Sequence, residues 1–195
     1  MQRSRLLLAL VAVTLFATAA NAQVQTWNID PNHTAAQFSV RHLGISTVRG
    51  AFTKVTGTVQ YDPANPAKTV IDATIDANSI DTRVEMRDND LRSPHFFDSA
   101  KFPTLTFKSK KVEAAEAGKL KVTGDLTIHG VTKEAVLDVE GPSAPIKDPR
   151  GNQRMGASAS TKINRQDFGL TADSGLVGDD IPITIDLEMV QPTTK

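Results

Sequence analysis

The sequence predicts an all-β fold of antiparallel strands, arranged as a barrel or a sandwich, with one short helical segment. Two observations predict it. Apolar and polar residues alternate along most of the chain, which is the pattern of strands that bury one face. Turn signals rich in glycine and proline, such as "YDPANPAK" and "GPSAPIKDPRGN", separate the alternating stretches at short intervals. Periodicity alone leaves barrel and sandwich open, although a closed barrel removes the exposed strand edges that invite aggregation.

Seven stretches carry the alternation along the chain. In the first, "HTAAQFSVRHLG", Phe38 and Val40 face one side and the polar residues between them face the other. The other six are "FTKVTGTVQYD" at 52–62, "TVIDATIDA" at 69–77, "KLKVTGDLTIHG" at 119–130, "EAVLDVE" at 134–140, the weaker "RMGASASTKI" at 154–163, and "IPITIDLEMV" at 181–190. The helical segment is expected near residues 79–93, where Ile80, Val84 and Leu91 are the apolar positions.

The first 22 residues have the features of a secretory signal peptide. Arg3 and Arg5 precede the apolar run "LLLALVAVTLFATAA", and the small-residue motif "ANA" ends at Ala22. We expect cleavage after Ala22, export to the periplasm, and a single mature domain over residues 23–195. The alternative is an uncleaved anchor, but the apolar run is short for a transmembrane helix.

Composition excludes several classes of function. Without the leader, 20 basic residues stand against 22 acidic ones, and no basic footprint for nucleic acid is present. Since the chain contains no cysteine, cysteine nucleophiles and thiolate metal sites are excluded. The roughly 173 mature residues suffice for one domain with a substantial core, which must be stable without disulfides.

No catalytic or metal-binding motif emerges. His33 and His42 are nine positions apart, so on one strand they face opposite sides and lie roughly 30 Å apart, too far to share a metal ion. Serine-hydrolase and zinc-hydrolase motifs are absent, and "DSGLVGDD" at 173–180 lacks calcium-loop spacing, which favours a solvated loop. Paired carboxylates for glycoside hydrolysis stay an open alternative, because their separation depends on the fold.

The predicted interior contains many small residues. Gly57, Ala73 and Gly124 lie among larger apolar positions, and they either leave a lumen or match large neighbours across a filled core. Half of the chain's eight phenylalanines lie within 96–107, in "HFFDSAKFPTLTF". This cluster either plugs one end of the fold or lines an apolar pocket.

Five blocks of the sequence resemble the YceI-like, polyisoprenoid-binding family. They are "WNIDPNHTAAQFSVRHLG", "VRGAFTKVTGTVQYD", "IDANSIDTRVEMRDNDLRSPHFFDSAKFPTLTFKS", "VTGDLTIHGVTKEAVLDV" and "INRQDFGL", and the resemblance runs from about Thr26 to Val190. It implies an extended, lipocalin-like antiparallel β-barrel of about eight strands whose apolar pore holds an isoprenoid chain. Two departures are His95, where the family more often has an acidic residue, and "KEAV" in place of a proline-containing turn.

The resemblance implies a carrier without catalysis or required cofactor, holding a long isoprenoid, such as a quinone or polyprenyl lipid, or another long amphiphile. Transient contact with a membrane and formation of a homodimer are further interactions that are compatible with this role. For the head group we expect Arg41, His42 and Arg49, in a hairpin whose alternative interpretation is ordinary solvation. The alternative function is an exported enzyme that acts on a lipid-like substrate with His42 or His95 as acid/base. The expected pore-lining residues are Phe38, Val40, Val55, Val59, Ile71, Ala73, Ile75, Phe97, Phe107, Leu126, Ile128, Leu137, Ile183 and Ile185.

Overall fold

Antiparallel strands make up most of the computed structural model, which describes residues 24–116 and 118–191. In chain order the strands are β1 (Gln25–Ile29), β2 (Ala35–His42), β3 (Ser46–Phe52), β4 (Val55–Tyr61), β5 (Val70–Asp76), β6 (Ile80–Asp81), β7 (Thr104–Ala114), β8 (Lys119–Ile128), β9 (Val131–Glu140), β10 (Ile146–Lys147), β11 (Gln153–Asn164) and β12 (Asp180–Gln191). One helix, α1 (Glu85–Arg92), lies between β6 and β7. The predicted signal peptide, residues 1–22, lies outside the described residues.

The sheet closes into an eight-stranded barrel, which confirms the predicted fold class. The ring runs β11-β9-β8-β7-β5-β4-β1-β12, and β11 pairs with β12 along all twelve residues to close it. The long β12 pairs with β1 near its C-terminus and with β2 near its N-terminus, so β1 and β2 occupy one position in the ring. In the same way, β3 pairs with β2 and shares the ring position of β4, and β6 pairs with β3 and shares the ring position of β5.

The helix begins later than the predicted segment near 79–93. Arg83 has a left-handed backbone (φ 64°), which ends any helical path through the preceding residues. The buried carboxylate of Asp88 accepts hydrogen bonds from the backbone N–H and the hydroxyl of Thr82, and it fixes α1 against β6. Residues 77–79 form a 3₁₀ turn instead, and Ile80–Asp81 pairs with β3.

Two apolar clusters line the inside of the barrel. The larger cluster follows the inward faces of most strands, and Phe52, Val122 and Ile128 are among its buried members. The smaller cluster lies at one end and consists of Trp27, Val59, Met155 and Met189, all buried. We call these four residues the floor. Within the described residues, no helix is long and apolar enough to cross a membrane.

Candidate ligand cavity

A cavity of about 210 Å³ lies inside the barrel above the floor. The surface that the described residues expose to this cavity is apolar. Strand alternation creates this wall, because every second side chain of a barrel strand points inward. On β12, for example, Ile181, Ile183, Ile185 and Leu187 line the cavity in sequence. The structure brings most of the expected pore-lining residues together on it: Phe38, Val40, Val55, Ile71, Ala73, Ile75, Phe97, Phe107, Leu126, Ile128, Leu137, Ile183 and Ile185.

The inward side chains are less buried than those of a packed core. Ile183 and Ile185 point into a closed barrel, yet each retains intermediate solvent exposure. Ile71 and Ala73, on the opposite wall, do the same. Native cores are packed nearly as densely as organic crystals, so such side chains would be fully buried if the barrel were filled. Their residual exposure therefore faces the cavity.

The small interior residues have different surroundings. A Cβ atom on Gly57 would lie 2.1 Å from the Asp72 carbonyl oxygen, so this glycine permits close approach of two strands. A Cβ atom on Gly124 would lie 2.5 Å from the Phe107 ring. Ala73, in contrast, lines the cavity. Of the two alternatives for the small residues, close packing against neighbours therefore describes Gly57 and Gly124, and an open lumen describes Ala73.

Val59 does not line the cavity, in contrast to the prediction. Its side chain is buried in the floor beside Trp27, with which it pairs across β1 and β4. Alternation correctly turns Val59 inward, but the large side chains of Trp27, Met155 and Met189 fill the barrel at that height. The buried indole N–H of Trp27 has no hydrogen-bond partner among the described residues.

Loop residues line the opposite end of the cavity, which we call the mouth. Leu91 of α1, Phe96 and Phe97 on one side and Val177 on the other contribute to the wall. Phe97 packs edge-to-face against Phe52 with ring centroids 5.4 Å apart. Three of the four phenylalanines of this segment, Phe96, Phe97 and Phe107, thus line the pocket, as the pocket interpretation expects.

Arg165 fixes the loop of residues 170–179 at the mouth. Its side chain is 5% exposed, and its guanidinium donates hydrogen bonds to the carbonyl oxygens of Leu170, Ala172, Val177 and Gly178 at 2.5–3.1 Å. A guanidinium suits this role because its five N–H donors point outward in a fixed plane. The segment 173–180, expected as a solvated loop, is therefore anchored from inside the barrel.

The same loop extends the sheet along the tip of β2. The Gly178 N–H donates to the Arg41 carbonyl oxygen at 2.8 Å, and the Leu43 N–H donates to the Leu176 carbonyl oxygen at 2.7 Å. The Arg41 side chain turns back to Thr47 Oγ1 and the Gly44 carbonyl oxygen. These contacts hold the β2–β3 hairpin tip in a defined shape beyond the mouth.

The expected head-group residues lie on this hairpin. Arg41, His42 and Arg49 are all exposed, and none of them is part of the cavity wall. Their strand neighbour Val40 does line the cavity, so the hairpin connects the wall to its polar tip. The structure thus places the three side chains near the mouth and outside the lumen.

The histidines of the enzyme alternative are also outside the cavity wall. His95 Nδ1 lies 3.1 Å from Asp90 Oδ1, and its Nε2 lies 3.9 Å from Asp173 Oδ1. It therefore bridges the segment after α1 and the 170–179 loop on the surface of the mouth. His42 pairs through its backbone with Val177. Neither imidazole reaches the apolar lumen, where an apolar substrate would lie.

A polar cluster surrounds Arg154 on the outside of the barrel near the floor. Arg154 contacts the carboxylates of Asp30 (2.7 Å), Asp148 (2.9 Å) and Glu188. The Arg154 guanidinium is the main reason why the pKa of Asp30 falls to about 2, and a hydrogen bond from His33 also lowers it. The same guanidinium holds the pKa of Asp148 well below its usual range, and the carboxylates raise the pKa of Arg154.

This cluster also accounts for the one group of potential metal ligands in the described part of the chain. Ligand atoms of Asp30, His33 and Glu188 lie within 4.8 Å of one another. The Arg154 Nη1 atom bonds to both carboxylates, so a side-chain cation already balances their charge. We therefore interpret the group as a structural ion-pair network that ties the end of β1 to β11 and β12.

Sequence reasoning missed several wall residues. On β11, Ala157, Ala159 and Ile163 line the cavity, and alternation within "GASASTKI" was the available signal. Arg165 and Leu170 had no comparable signal, because their positions depend on how the 170–179 loop folds back over the barrel end.

The chain resembles proteins of one family over most of its length. The YceI-like domain model matches residues 27–189. A UPF0312 protein of Vibrio cholerae is 38% identical over 170 residues, covering 87% of this chain and 89% of that protein. The Campylobacter jejuni YceI crystal structure is 31% identical with a TM-score of 0.68, covering 94% of this chain and 99% of that chain. A polyisoprenoid binding domain from Saccharophagus degradans shares the fold alone, with a TM-score of 0.61 at 17% identity over 87% of this chain and 100% of that chain.

Proposed function

The chain belongs to the YceI-like domain family, and from this premise we propose that it is a binding and carrier protein that holds a long isoprenoid or similar amphiphilic lipid in its barrel cavity. The observation that carries the proposal is the apolar lumen above the floor. A quinone with an isoprenoid tail and a polyprenyl lipid are the ligand classes that we favour, and no cofactor is needed to hold either one. The S. degradans domain, named for polyisoprenoid binding, supports this choice of ligand class.

The physics of the cavity favours an apolar chain as its occupant. Removal of apolar surface from water stabilises a complex by roughly 25 cal/mol per Å², before the costs of association. The cavity wall offers no exposed polar atom among the described residues, so a charged or strongly polar group inside it would lose its hydration without compensation. We therefore propose that the chain enters first and that the polar head stays at the mouth.

We further propose that the protein performs this role in the periplasm, after cleavage behind Ala22. A carrier in this compartment would protect an apolar tail from water between membranes. At the mouth, the exposed groups of Arg41, His42 and Arg49 are available to an oxygen-rich head group. Binding rather than catalysis is the role that we favour, because neither His42 nor His95 reaches the lumen.

Organic extraction of the purified protein, followed by mass spectrometry, tests the proposal. We expect one class of isoprenoid lipid at near-stoichiometric amount. Val40→Asn places an amide on the cavity wall and should lower the bound lipid severalfold, whereas Val136→Asn, on the exposed outer face of β9, should not. A lipid-free extract from folded protein, or equal lipid in both variants, would contradict the proposal. A chemically altered lipid after incubation would favour the enzyme alternative.

A further inference from the structure

Three exposed apolar side chains project from the mouth of the barrel. Leu43 is 50% exposed, Ile45 is 79% exposed and Leu176 is 51% exposed. Leu43 and Ile45 form the tip of the β2–β3 hairpin, and Leu176 lies beside them through the 2.7 Å backbone hydrogen bond from the Leu43 N–H. We call these three residues the rim patch.

The conformation of Leu43 adds a second observation. Leu43 has φ 53° and Gly44 has φ 68°, so two successive residues are left-handed at the tip. This region disfavours a leucine, whereas asparagine, aspartate and glycine adopt it more readily. The position thus combines a disfavoured backbone conformation with an apolar side chain in water. Both features raise the free energy of the folded chain in solution.

The rim patch is continuous with the cavity. Val40 precedes the hairpin tip by three residues and lines the wall, and Val177 follows Leu176 and also lines it. The contacts of Arg41 with Thr47 and Gly44 hold the tip rigid. An apolar chain that leaves the lumen at this end therefore meets further apolar side chains before it meets bulk water.

We propose that the rim patch inserts into the surface of a lipid bilayer and docks the mouth against it, so that the apolar chain passes between membrane and cavity. This inference rests on the proposed lipid-carrier function. Burial of Leu43 and Ile45 in the boundary between head groups and acyl chains removes their apolar surface from water. The fixed tip limits the entropy lost on docking, and the bilayer then continues the apolar wall of the cavity.

Co-sedimentation with vesicles of phosphatidylethanolamine and phosphatidylglycerol tests the docking. The double variant Leu43→Asn with Ile45→Ser should bind these vesicles with an affinity at least about tenfold lower than that of the wild type. Its thermal stability should be retained or raised, because asparagine tolerates the left-handed position. The matched control is Ile146→Ser, which removes an equally apolar side chain, 65% exposed, near the floor end of the barrel. It should bind vesicles like the wild type.

Separate measurements distinguish this inference from the carrier function. The binding of a dansylated polyprenyl chain to delipidated protein should be the same in the rim variant and the wild type, while chain transfer from vesicles should slow about tenfold or more. Unchanged vesicle binding in the rim variant, or equal loss in the Ile146 control, overturns the docking. A concentration-dependent dimer that only the rim variant abolishes, with vesicle binding unaffected, also overturns it and assigns the patch to self-association. Failure to bind the polyprenyl chain despite vesicle docking contradicts the carrier function alone.

Discussion

The ring of Phe107 leans over Gly124 on the neighbouring strand. A Cβ atom on Gly124 would lie 2.5 Å from Phe107 Cζ and 2.8 Å from Cε2. On its other side, Phe107 pairs in register with Ala73 of β5. Because the ring turns towards Gly124, the space in front of Ala73 stays part of the cavity. The Phe107 ring thus fills the space beside Gly124 and leaves the space beside Ala73 open.

This asymmetry predicts that Ala73→Phe removes the ligand without unfolding the protein. The new ring would occupy cavity space, so the stability of the lipid-free protein should change by less than about 1 kcal/mol, while bound lipid disappears. Ala77→Phe is the matched control, because Ala77 is fully buried. There the same insertion should cost about 1–3 kcal/mol or more. Urea denaturation and lipid content after purification measure the two effects. A large loss of stability in the Ala73 variant would place this residue in a packed core.

Alternation in the sequence predicts which side chains point inward, but it contains no information about height along the barrel axis. Phe38, Val40 and Ile183 reach the wall because their strands alternate regularly. Val59 alternates as well, yet it lies at the height where Trp27 and two methionines converge. That convergence depends on strand stagger, which is a property of the closed barrel and not of any one stretch. The floor therefore becomes visible only in three dimensions.

The single tryptophan of the chain provides a native probe of ligand orientation. Trp27 lies in the floor, and Ile71 and Leu187, which both line the cavity, pack against this floor. If the apolar chain enters first, a fatty acid brominated at its terminal methyl end should quench Trp27 fluorescence strongly. The same acid brominated next to the carboxylate should quench it weakly. The reverse order of quenching would mean that the head group lies at the floor.

The loop at the mouth depends on Arg165, and Arg165→Lys should loosen it. A lysine ammonium has three donors on one atom, so it cannot reach the four carbonyl oxygens that the planar guanidinium bonds. We expect a stability loss of at least about 2 kcal/mol, faster hydrogen exchange at the Val177 and Gly178 amides, and faster ligand release. Arg150→Lys, at an exposed turn position, is the control. Unchanged amide exchange in the Arg165 variant would mean that the loop is held by other contacts.

Arg165 also shows what the sequence leaves undetermined in the site. Four of its partners are main-chain carbonyl groups, which every residue carries, so no side-chain motif marks them. It also forms an ion pair with Asp179, whose Oδ1 atom lies 3.1 Å from Nη2. The left-handed Leu43 is a similar case, since the hairpin expected around residues 41–49 does not specify that its apolar side chains face solvent beside a cavity. Strand faces follow from residue types, whereas these two features follow from the paths of loops.

The Arg154 cluster predicts how the protein responds to acid. The folded-state pKa of Asp30 is about 2, below the ordinary value of 3.8, because Arg154 and His33 bond to its carboxylate. A carboxyl group with a depressed folded-state pKa contributes stability above its unfolded pKa, and this contribution is lost as the pH falls through the folded pKa. The free energy of unfolding should therefore decline as the pH falls from about 4 to about 2. The depressed pKa of Asp148 acts in the same direction.

Asp30→Asn isolates this contribution. The amide cannot carry the charge that Arg154 balances, so the variant should lose about 1–3 kcal/mol at neutral pH and show a shallower decline between about pH 4 and pH 2. Asp72→Asn is the control, because the Asp72 side chain is 53% exposed and pairs only with Lys108 at the surface among its described neighbours. Its effect should stay within about 0.5 kcal/mol at both pH values. Urea titrations at a series of pH values provide the measurement. Parallel stability curves for the wild type and the Asp30 variant below about pH 4 would show that Asp30 is not the group whose protonation destabilises the barrel.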